Sequence, residues 1–344
     1  MDLKRFYEGK TVLVTGGVGS IGSFLVREVL RYSPQSVRIF DNNETGLFDL
    51  EQELDPKKIR SFIGDIRDKE RLTMAMEGVD IVFHAAALKH VPICEFNPFD
   101  AIKTNVLGTQ NVLDAALSQG VQKVVTISTD KAVNPANVMG ATKLLAERLT
   151  ISANNYRGHV KKTQLSCVRF GNVLNSRGSV IPLFVRQIQN KGPVTVTHPE
   201  MRRFFMDIPS ATRLILTAGM LSRGNEIFIL KMPAMSIMDL AEVLRDEFAS
   251  RSGFDPGTIP ITVVGLRVGE KIDEVLMTLD ETTCAFENDD MYIVLPKEIP
   301  YIQYSPKDSV PPGFRPAAMD SFSSRNARLI TKEEIRSLLR DLDL

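Results

Sequence analysis

The chain of 344 residues has no excess charge of either sign: 42 lysines and arginines balance 42 aspartates and glutamates. It therefore offers no one-signed field to gather nucleic acid or an anionic membrane surface, although a local basic pocket for a small anion is still open to it. Cysteine is scarce. Cys94, Cys167 and Cys284 lie far apart, with neither metal-ligand spacing nor the even count of a disulfide framework. They read as free thiols of a reducing compartment, and no metal site is expected. No apolar run approaches the ~20 residues of a membrane span. The start of the chain enters a strand without the apolar core of a signal peptide or the composition of a transit peptide. There is no internal repeat and no low-complexity tract. These absences point to a soluble, cytoplasmic protein of one large domain or two unequal ones.

What is present is an alternation of short apolar runs and helical periodicity. Thr11–Thr15 is a β-branched run that reads as a buried strand, and Ile21, Phe24, Leu25 and Val29 show helical spacing. Between them lies Gly16-Gly17-Val18-Gly19-Ser20-Ile21-Gly22. A glycine pattern set between strand and helix has the context of a dinucleotide turn. Gly16 would make the tight turn, Gly19 would admit a pyrophosphate to the backbone, and Gly22 would let the helix pack on the strand. The helix start adds free N–H groups and a favourable dipole. The next run, Val37–Phe40, ends in Asp41, followed by Asn42. An acid about twenty residues beyond the glycines accepts both ribose hydroxyls and repels a 2′-phosphate, which favours NAD over NADP. A third run, residues 61–68, places Asp65 and Ile66 where they can flank an adenine. A fourth, 79–87, ends in Ala85, Ala86 and Ala87, small enough for a cofactor to lie against. His84, among apolar neighbours, reads as a satisfied structural histidine.

Lys89, His90 and Glu95 form a loop over this strand end, and Asn105 on the next helix is positioned to hold a neighbouring helix or a water. The run 124–127 then leads into Ser128-Thr129-Asp130-Lys131 and a helix with Met139 and Lys143 four residues apart on one face. Proton-handling groups thus converge at the carboxyl end of a strand, where open α/β sheets place their chemistry. Further strands are expected at 165–173, 193–197, 225–230 and 261–264, and helices at 180–189, 208–221 and 237–248, the last capped by Ser236. The stretch up to Ser323 is rich in Pro, Ser and Asp and is expected to be irregular, and Thr331 caps a final amphipathic helix. The expected fold is α/β: a Rossmann-like doubly wound parallel sheet over residues 1–172, with some later elements returning to it. A smaller mixed domain over 173–344 would bind substrate.

The ordered motifs TGGxGxxG, Asp41, GDIRD, HAAALKHVP, STDKAVNP, GATK, RFGNV, SRGSVIP and GLRVGEK resemble the extended short-chain dehydrogenase/reductase superfamily. Within it the chain is similar, from about residue 8 to 280, to UDP-N-acetylglucosamine 4,6-dehydratases of polysaccharide and glycan biosynthesis. It looks like the cytoplasmic portion of what are often larger membrane proteins. Thr129-Asp130-Lys131 stands where dTDP-glucose dehydratases carry Asp-Glu. The YxxxK motif is here Met139 to Lys143, lysine present and tyrosine absent, which resembles the C5-retaining branch.

The resemblance implies NAD as cofactor, a UDP-sugar substrate and a homo-oligomer. Hydride leaves sugar C4, water is lost across C5–C6, and hydride returns to C6. Lys131, which must be neutral to act, is the implied C5 base, and Asp130 the acid at C6 and, without a tyrosine, the acceptor of the C4 proton. Thr129 or Ser128 would bond O4, Lys143 would hold the nicotinamide ribose, and Met139 would only shape the pocket. Lys89, His90, Asn172, Ser179, Val180, Arg203, Arg267 and Glu270 are implied in substrate binding. Arg202 stands where the family usually has another residue. The alternatives are a UDP-sugar 4-epimerase, a C5-inverting dehydratase, and a non-catalytic NAD-bound sensor.

Overall fold

A computed structural model describes residues 2–156, 163–174, 179–297 and 310–340. Packing divides the chain into two units. The first comprises Met1–Phe170, Ile208–Lys231 and Thr278–Asp320, and the second Gly171–Asp207, Met232–Met277 and Ser321–Leu344.

The first unit is built on one sheet. Its strands are β1 (Thr11–Thr15), β2 (Ser36–Asp41), β3 (Ile59–Ile63), β4 (Ile81–His84), β5 (Lys123–Ile127), β6 (Gln164–Arg169), β7 (Ile227–Leu230), β8 (Ala285–Glu287), β9 (Met291–Val294) and β10 (Arg315–Pro316). Their spatial order is β10-β8-β9-β7-β6-β5-β4-β1-β2-β3. The run from β3 to β7 is parallel throughout, and β9, β8 and β10 extend it antiparallel. All of β1 and β4 is buried, as a parallel sheet covered on both faces requires. Leu13, Phe40, Phe62, Leu72, Val82, Val112, Val124 and Leu165 form one core cluster, each fully buried side chain of this size contributing about 1.5–3 kcal/mol.

Chain order reverses at β1, which has β2 on one side and β4 on the other. This is the switch point at which doubly wound sheets open a crevice. Register brings the strand ends level there: Thr15 pairs with His84, and His84 with Thr126. The glycine turn, the alanine run and the Ser128–Lys131 segment therefore leave the sheet side by side.

The second unit pairs Arg202–Met206 with Ala234–Ser236 and Asn172–Val173, and Val194–Val196 with Ile261–Val263. Ile181, Phe184 and Ile188 of the helix Val180–Gln189 pack with Leu240, Val243 and Leu244 of Ile237–Arg251 and with Ile335 and Leu339 of Lys332–Arg340. Ser236 caps the second of these helices through the Asp239 N–H, and Thr331 Oγ1 accepts from the Glu334 N–H at the start of the last.

Three expectations about elements are corrected. The stretch before Ser323 is not irregular throughout, since among its described residues lie β8, β9, β10 and the pair Val275–Met277/Phe322–Ser323. Strands of two to four residues at a sheet edge carry too few positions for their alternation to show. The strands expected to run to Asp68 and Ala87 end at Ile63 and His84, because the ladder stops where the loops turn away. Among the described residues no helix is long and apolar enough to cross a membrane.

Candidate active site

At the end of β1 the chain turns with Gly16 at φ +66°, and the Gly16 N–H donates to the Phe40 carbonyl at 2.8 Å. A Cβ on Gly16 would lie 2.7 Å from the Ala86 nitrogen, and one on Gly22 would lie 2.1 Å from the Gly16 carbonyl. These two positions exclude any side chain, one against the alanine run and one inside the turn. At Gly19 a Cβ would meet only the Gly16 carbonyl, at 3.1 Å, so the outer side of the turn is open. Ser20 and Ile21 follow it half-buried at the helix start, and Ala85, Ala86 and Ala87 are half-buried beside it. The turn is tied to Asp41, whose Oδ2 accepts from the Val18 N–H at 3.1 Å and whose Oδ1 accepts from the Asn43 N–H at 3.0 Å. Each oxygen keeps a lone pair for a further donor.

Two residues expected beside an adenine are otherwise engaged. The Asp65 carboxylate is held by Arg67, with Nη2 at 2.6 Å; that hydrogen bonding keeps its pKa below the usual carboxylate value. Asn42, exposed at the end of β2, also bonds to it. Ile66 is a core residue, 4% exposed, packed with Phe62 and Leu72. Of Ile66 only the backbone is left to meet a ligand, while the Asp65 carboxylate is partly exposed beside Arg67.

His84 is buried, with Nδ1 2.7 Å from Thr15 Oγ1 and Nε2 3.0 Å from Thr109 Oγ1. Burial, with the Lys143 charge, pushes its pKa down to about 3, so it is neutral at physiological pH. The expectation of a structural histidine holds.

The catalytic candidates sit just past β5. Ser128 and Asp130 donate their backbone N–H groups to the Val168 and Phe170 carbonyls, at 2.7 and 3.1 Å. Thr129 caps a single 3₁₀ turn, Asp130–Ala132. Its hydroxyl donates to Asp130 Oδ1 at 2.8 Å, and Lys131 Nζ donates to the same oxygen at 2.9 Å. Asp130 is fully buried, yet among the described residues its Oδ2 has no hydrogen-bond partner, and neither has the buried hydroxyl of Ser128. Leaving such atoms unpaired costs about 1–3 kcal/mol each, which a ligand's donors and acceptors can offset.

The helix Val138–Ala153 is docked hard against this turn. Asn137 caps it through the Gly140 N–H at 2.7 Å, and Glu95 Oε1 accepts from the Val138 N–H at 2.6 Å. A Cβ on Gly140 would lie 2.3 Å from the Lys131 carbonyl, so only glycine allows the approach. Lys143, 8% exposed, donates to the Ile127 carbonyl at 2.6 Å, and burial pushes its pKa down to about 8 although Glu147 and Cys167 oppose the shift. Asn105 is spent on the scaffold: it bonds both backbone groups of Leu88, at 2.8 and 3.0 Å, and donates to Thr142 Oγ1 at 3.0 Å. It therefore braces the Lys143 helix, one of the two roles its place in the sequence suggested. Met139 is buried with Cys94 and Ala101 against Leu88, Val91 and Val138.

The residues expected to bind substrate fall in both units. In the first, Lys89 and His90 are exposed in the loop after the alanines. In the second, Asn172 is half-buried in its strand, and Ser179 precedes the helix Val180–Gln189 with its hydroxyl buried and unbonded. Val180, half-buried, opens that helix. Residues 175–178, which include the start of the SRGSVIP motif, lie outside the described residues. Arg203 departs from expectation. It is buried, and its guanidinium donates to the carbonyls of Arg202 and Ile272 at 2.8 Å and of Lys271 at 2.6 Å. It stitches down the segment before Glu274, leaving little of its fork for a nucleotide. Arg267 is exposed, and Glu270 Oε2 accepts from the Arg267 N–H at 3.1 Å, closing the turn between them.

Sequence reasoning missed one cluster entirely. Glu147, on the Lys143 helix, accepts two hydrogen bonds from Arg169 at the end of β6, and Arg169 also meets Glu281. The signal was available: a charged residue inside the buried stripe Met139, Lys143, Ala146, Glu147, Thr150, and an arginine inside the apolar run of β6.

Comparison with known proteins settles the family. The model described as "Polysaccharide biosynthesis protein" matches residues 12–296. The chain belongs to this family. Its fold is that of the extended short-chain dehydrogenase/reductases. It is 52% identical, over 99% of this chain and 98% of the relative, to a Methanocaldococcus jannaschii protein described as an uncharacterized membrane protein. It is 40% identical to a Campylobacter jejuni UDP-N-acetylglucosamine 4,6-dehydratase (inverting), over 84% of each chain. Identity is also 40% to a UDP-glucose 4-epimerase of Rickettsia canadensis, over 97% and 96%. Among solved structures, Pen from Bacillus thuringiensis superimposes with TM-score 0.89 at 44% identity, over 98% and 99% of the two chains. The dTDP-glucose 4,6-dehydratase DesIV from Streptomyces venezuelae, solved with NAD bound, gives TM-score 0.65 at 25% identity, over 76% and 86%.

Proposed function

We propose that the chain is an NAD-dependent dehydratase that converts UDP-N-acetylglucosamine to the 4-keto-6-deoxy sugar nucleotide with retention at C5. The observation that carries this reading is the Thr129-Asp130-Lys131 turn: a buried carboxylate with one oxygen doubly bonded and the other unpaired, beside an amine. An epimerase needs no such acid and base pair. The glycine turn fits a dinucleotide, since its outer side is open at Gly19 and Asp41 holds two accepting oxygens at the end of β2. Bound there, NAD⁺ supplies reversible hydride acceptance, which a redox-neutral dehydration requires.

The chain's own residues do the rest. Lys143 keeps two N–H groups beyond its bond to Ile127 for a cofactor ribose. The Ser128 hydroxyl, buried and unbonded, meets the substrate O4. Asp130 Oδ2 takes the C4 hydroxyl proton and delivers it to the C6 hydroxyl as that leaves. Lys131 removes the C5 proton, which exchanges with solvent on the ammonium, and returns a proton to the same face of C5. One base acting from one side restores the original configuration. Met139 offers no second proton carrier at the position where a tyrosine would stand, and this supports retention. Asn172, Ser179, Arg267 and Glu270 are the candidates for binding the nucleotide.

Incubation of the purified chain with UDP-N-acetylglucosamine tests the reading by mass spectrometry. Loss of one water supports it. An isomer of unchanged mass points to the epimerase, and no turnover points to a binding protein. In heavy water, C5 should carry deuterium in its original configuration, and an inverted centre would reject the retaining assignment.

A further inference from the structure

Beneath Lys143 lies a charged cluster with no direct part in the proposed chemistry. Glu147 follows Lys143 by four residues, so both side chains lie on one face of the helix. Its carboxylate is gripped bidentately, Arg169 Nε to Oε1 at 2.8 Å and Nη2 to Oε2 at 2.7 Å, the geometry that fixes a carboxylate in both place and charge. Arg169 Nη1 meets Glu281 Oε1 at 2.8 Å, and Glu281 is itself held in a capping box with Thr278 at the start of the segment that supplies β8 and β9. Glu147 and Arg169 are 1% and 2% exposed. With Lys143 the cluster holds two positive and two negative groups.

A pair that only fastened helix to sheet would need no third charge. Here a buried amine stands one helical turn away, with the Ile127 carbonyl as its recorded hydrogen-bond acceptor. The groups that face it are Glu147 on its own helix, Cys167 on β6 and His84 on β4. His84 is neutral and Cys167 is a thiol whose ionisation burial opposes, so among the described residues Glu147 is the facing group that carries negative charge. We infer that Glu147, clamped by Arg169, is a positioning residue that holds the Lys143 ammonium charged and aimed past Ile127 toward the cofactor ribose. Arg169 prevents the carboxylate from swinging up to close a direct ion pair that would take the ammonium out of use. This inference rests on the role given to Lys143 above.

The test reads the protonation of Lys143 itself. In the full cofactor-loaded chain carrying ¹³C-labelled lysine, the Lys143 side-chain resonance is assigned by its absence in Lys143→Met and followed from about pH 6 to about pH 11. The wild-type midpoint is expected near 8. Glu147→Gln should lower it by about one pH unit or more, since a facing carboxylate is lost. NAD affinity should fall with the same midpoint. Because Glu147→Gln leaves Arg169 short of a partner and can fail to fold, the paired Glu147→Gln/Arg169→Met variant is measured beside it, and its midpoint should move in the same direction by less. A loss of thermal stability with the Lys143 midpoint unmoved in both variants would reduce the cluster to a structural fastening and overturn the inference. These readouts involve no sugar substrate, so the dehydratase reading can fail while this one stands.

Discussion

Two ion pairs in the first unit lie within a few residues of one another in the fold and have opposite characters. Arg169 and Glu147 are both buried and fully engaged, each carboxylate oxygen meeting its own N–H and the third guanidinium nitrogen meeting Glu281. Asp130 and Lys131 share a single oxygen with Thr129, while the second carboxylate oxygen is buried and unbonded and the lysine side chain is 21% exposed. Saturation makes the first pair a fixed element of the scaffold. The second pair leaves one buried carboxylate oxygen unsatisfied, and under the proposed function a substrate hydroxyl is its partner. Incomplete hydrogen bonding, rather than the presence of charge, separates the pair proposed to react from the one that fastens the fold.

The comparison breaks first if the open pair is not the reactive one. Asp130→Asn and Lys131→Ala should each reduce turnover of UDP-N-acetylglucosamine by about 10²–10⁴-fold, with bound NAD and the far-ultraviolet spectrum unchanged. Equal turnover in Lys131→Ala would transfer the chemistry elsewhere. Next in size is the saturated pair. Arg169→Ala leaves Glu147 buried and unpaired and should cost about 3–5 kcal/mol in denaturant unfolding, whereas Glu147→Gln/Arg169→Met should cost much less.

Asp41 is an intermediate case, each oxygen carrying one backbone donor and room for another. Asp41→Ala should weaken NAD binding by about 10–100-fold in a titration and narrow the preference over NADP. A smaller effect is expected at Met139. A tyrosine there must enter a packed cluster of Cys94 and Ala101, at roughly 1–3 kcal/mol of overpacking, and turnover should not rise. A gain in turnover would mean that the missing hydroxyl is a real deficit.

The last prediction changes the shape of a curve. Lys143 titrates near pH 8 in the fold and near 10.5 unfolded, and Lys123 does likewise. Between those values the unfolded chain binds more protons, so stability should rise with pH. Removing the amine in Lys143→Met should flatten that rise.

Much of the scaffold could be read in advance. The glycine turn, Asp41 at a strand end, the caps Ser236 and Thr331 and the parallel strands are matters of local stereochemistry or of periodicity over a few residues. His84 was legible too, because apolar neighbours on both sides leave a histidine only a structural role. Asn105 was legible as well, as a brace for the neighbouring helix through Thr142, whereas Arg203 spent on three carbonyls, Ile66 turned into the core and Asp65 taken by Arg67 were not. In each case the residue type fitted a ligand and a neighbour in space had already used it.

The sequence by itself determined where the chain turns, which runs become buried strands, and that an acid and an amine follow the central strand. These depend on glycine's conformational freedom, on capping and on apolar spacing, all of which act within a few residues. Tertiary structure alone decided which polar atoms are satisfied. The donors to Glu147 come from β6 and the acceptor for Lys143 from β5, while nothing among the described residues reaches Asp130 Oδ2. Hydrogen bonding is short-ranged and saturable, so whether a carboxylate is a fastening or a reagent depends on neighbours that only the folded chain brings together.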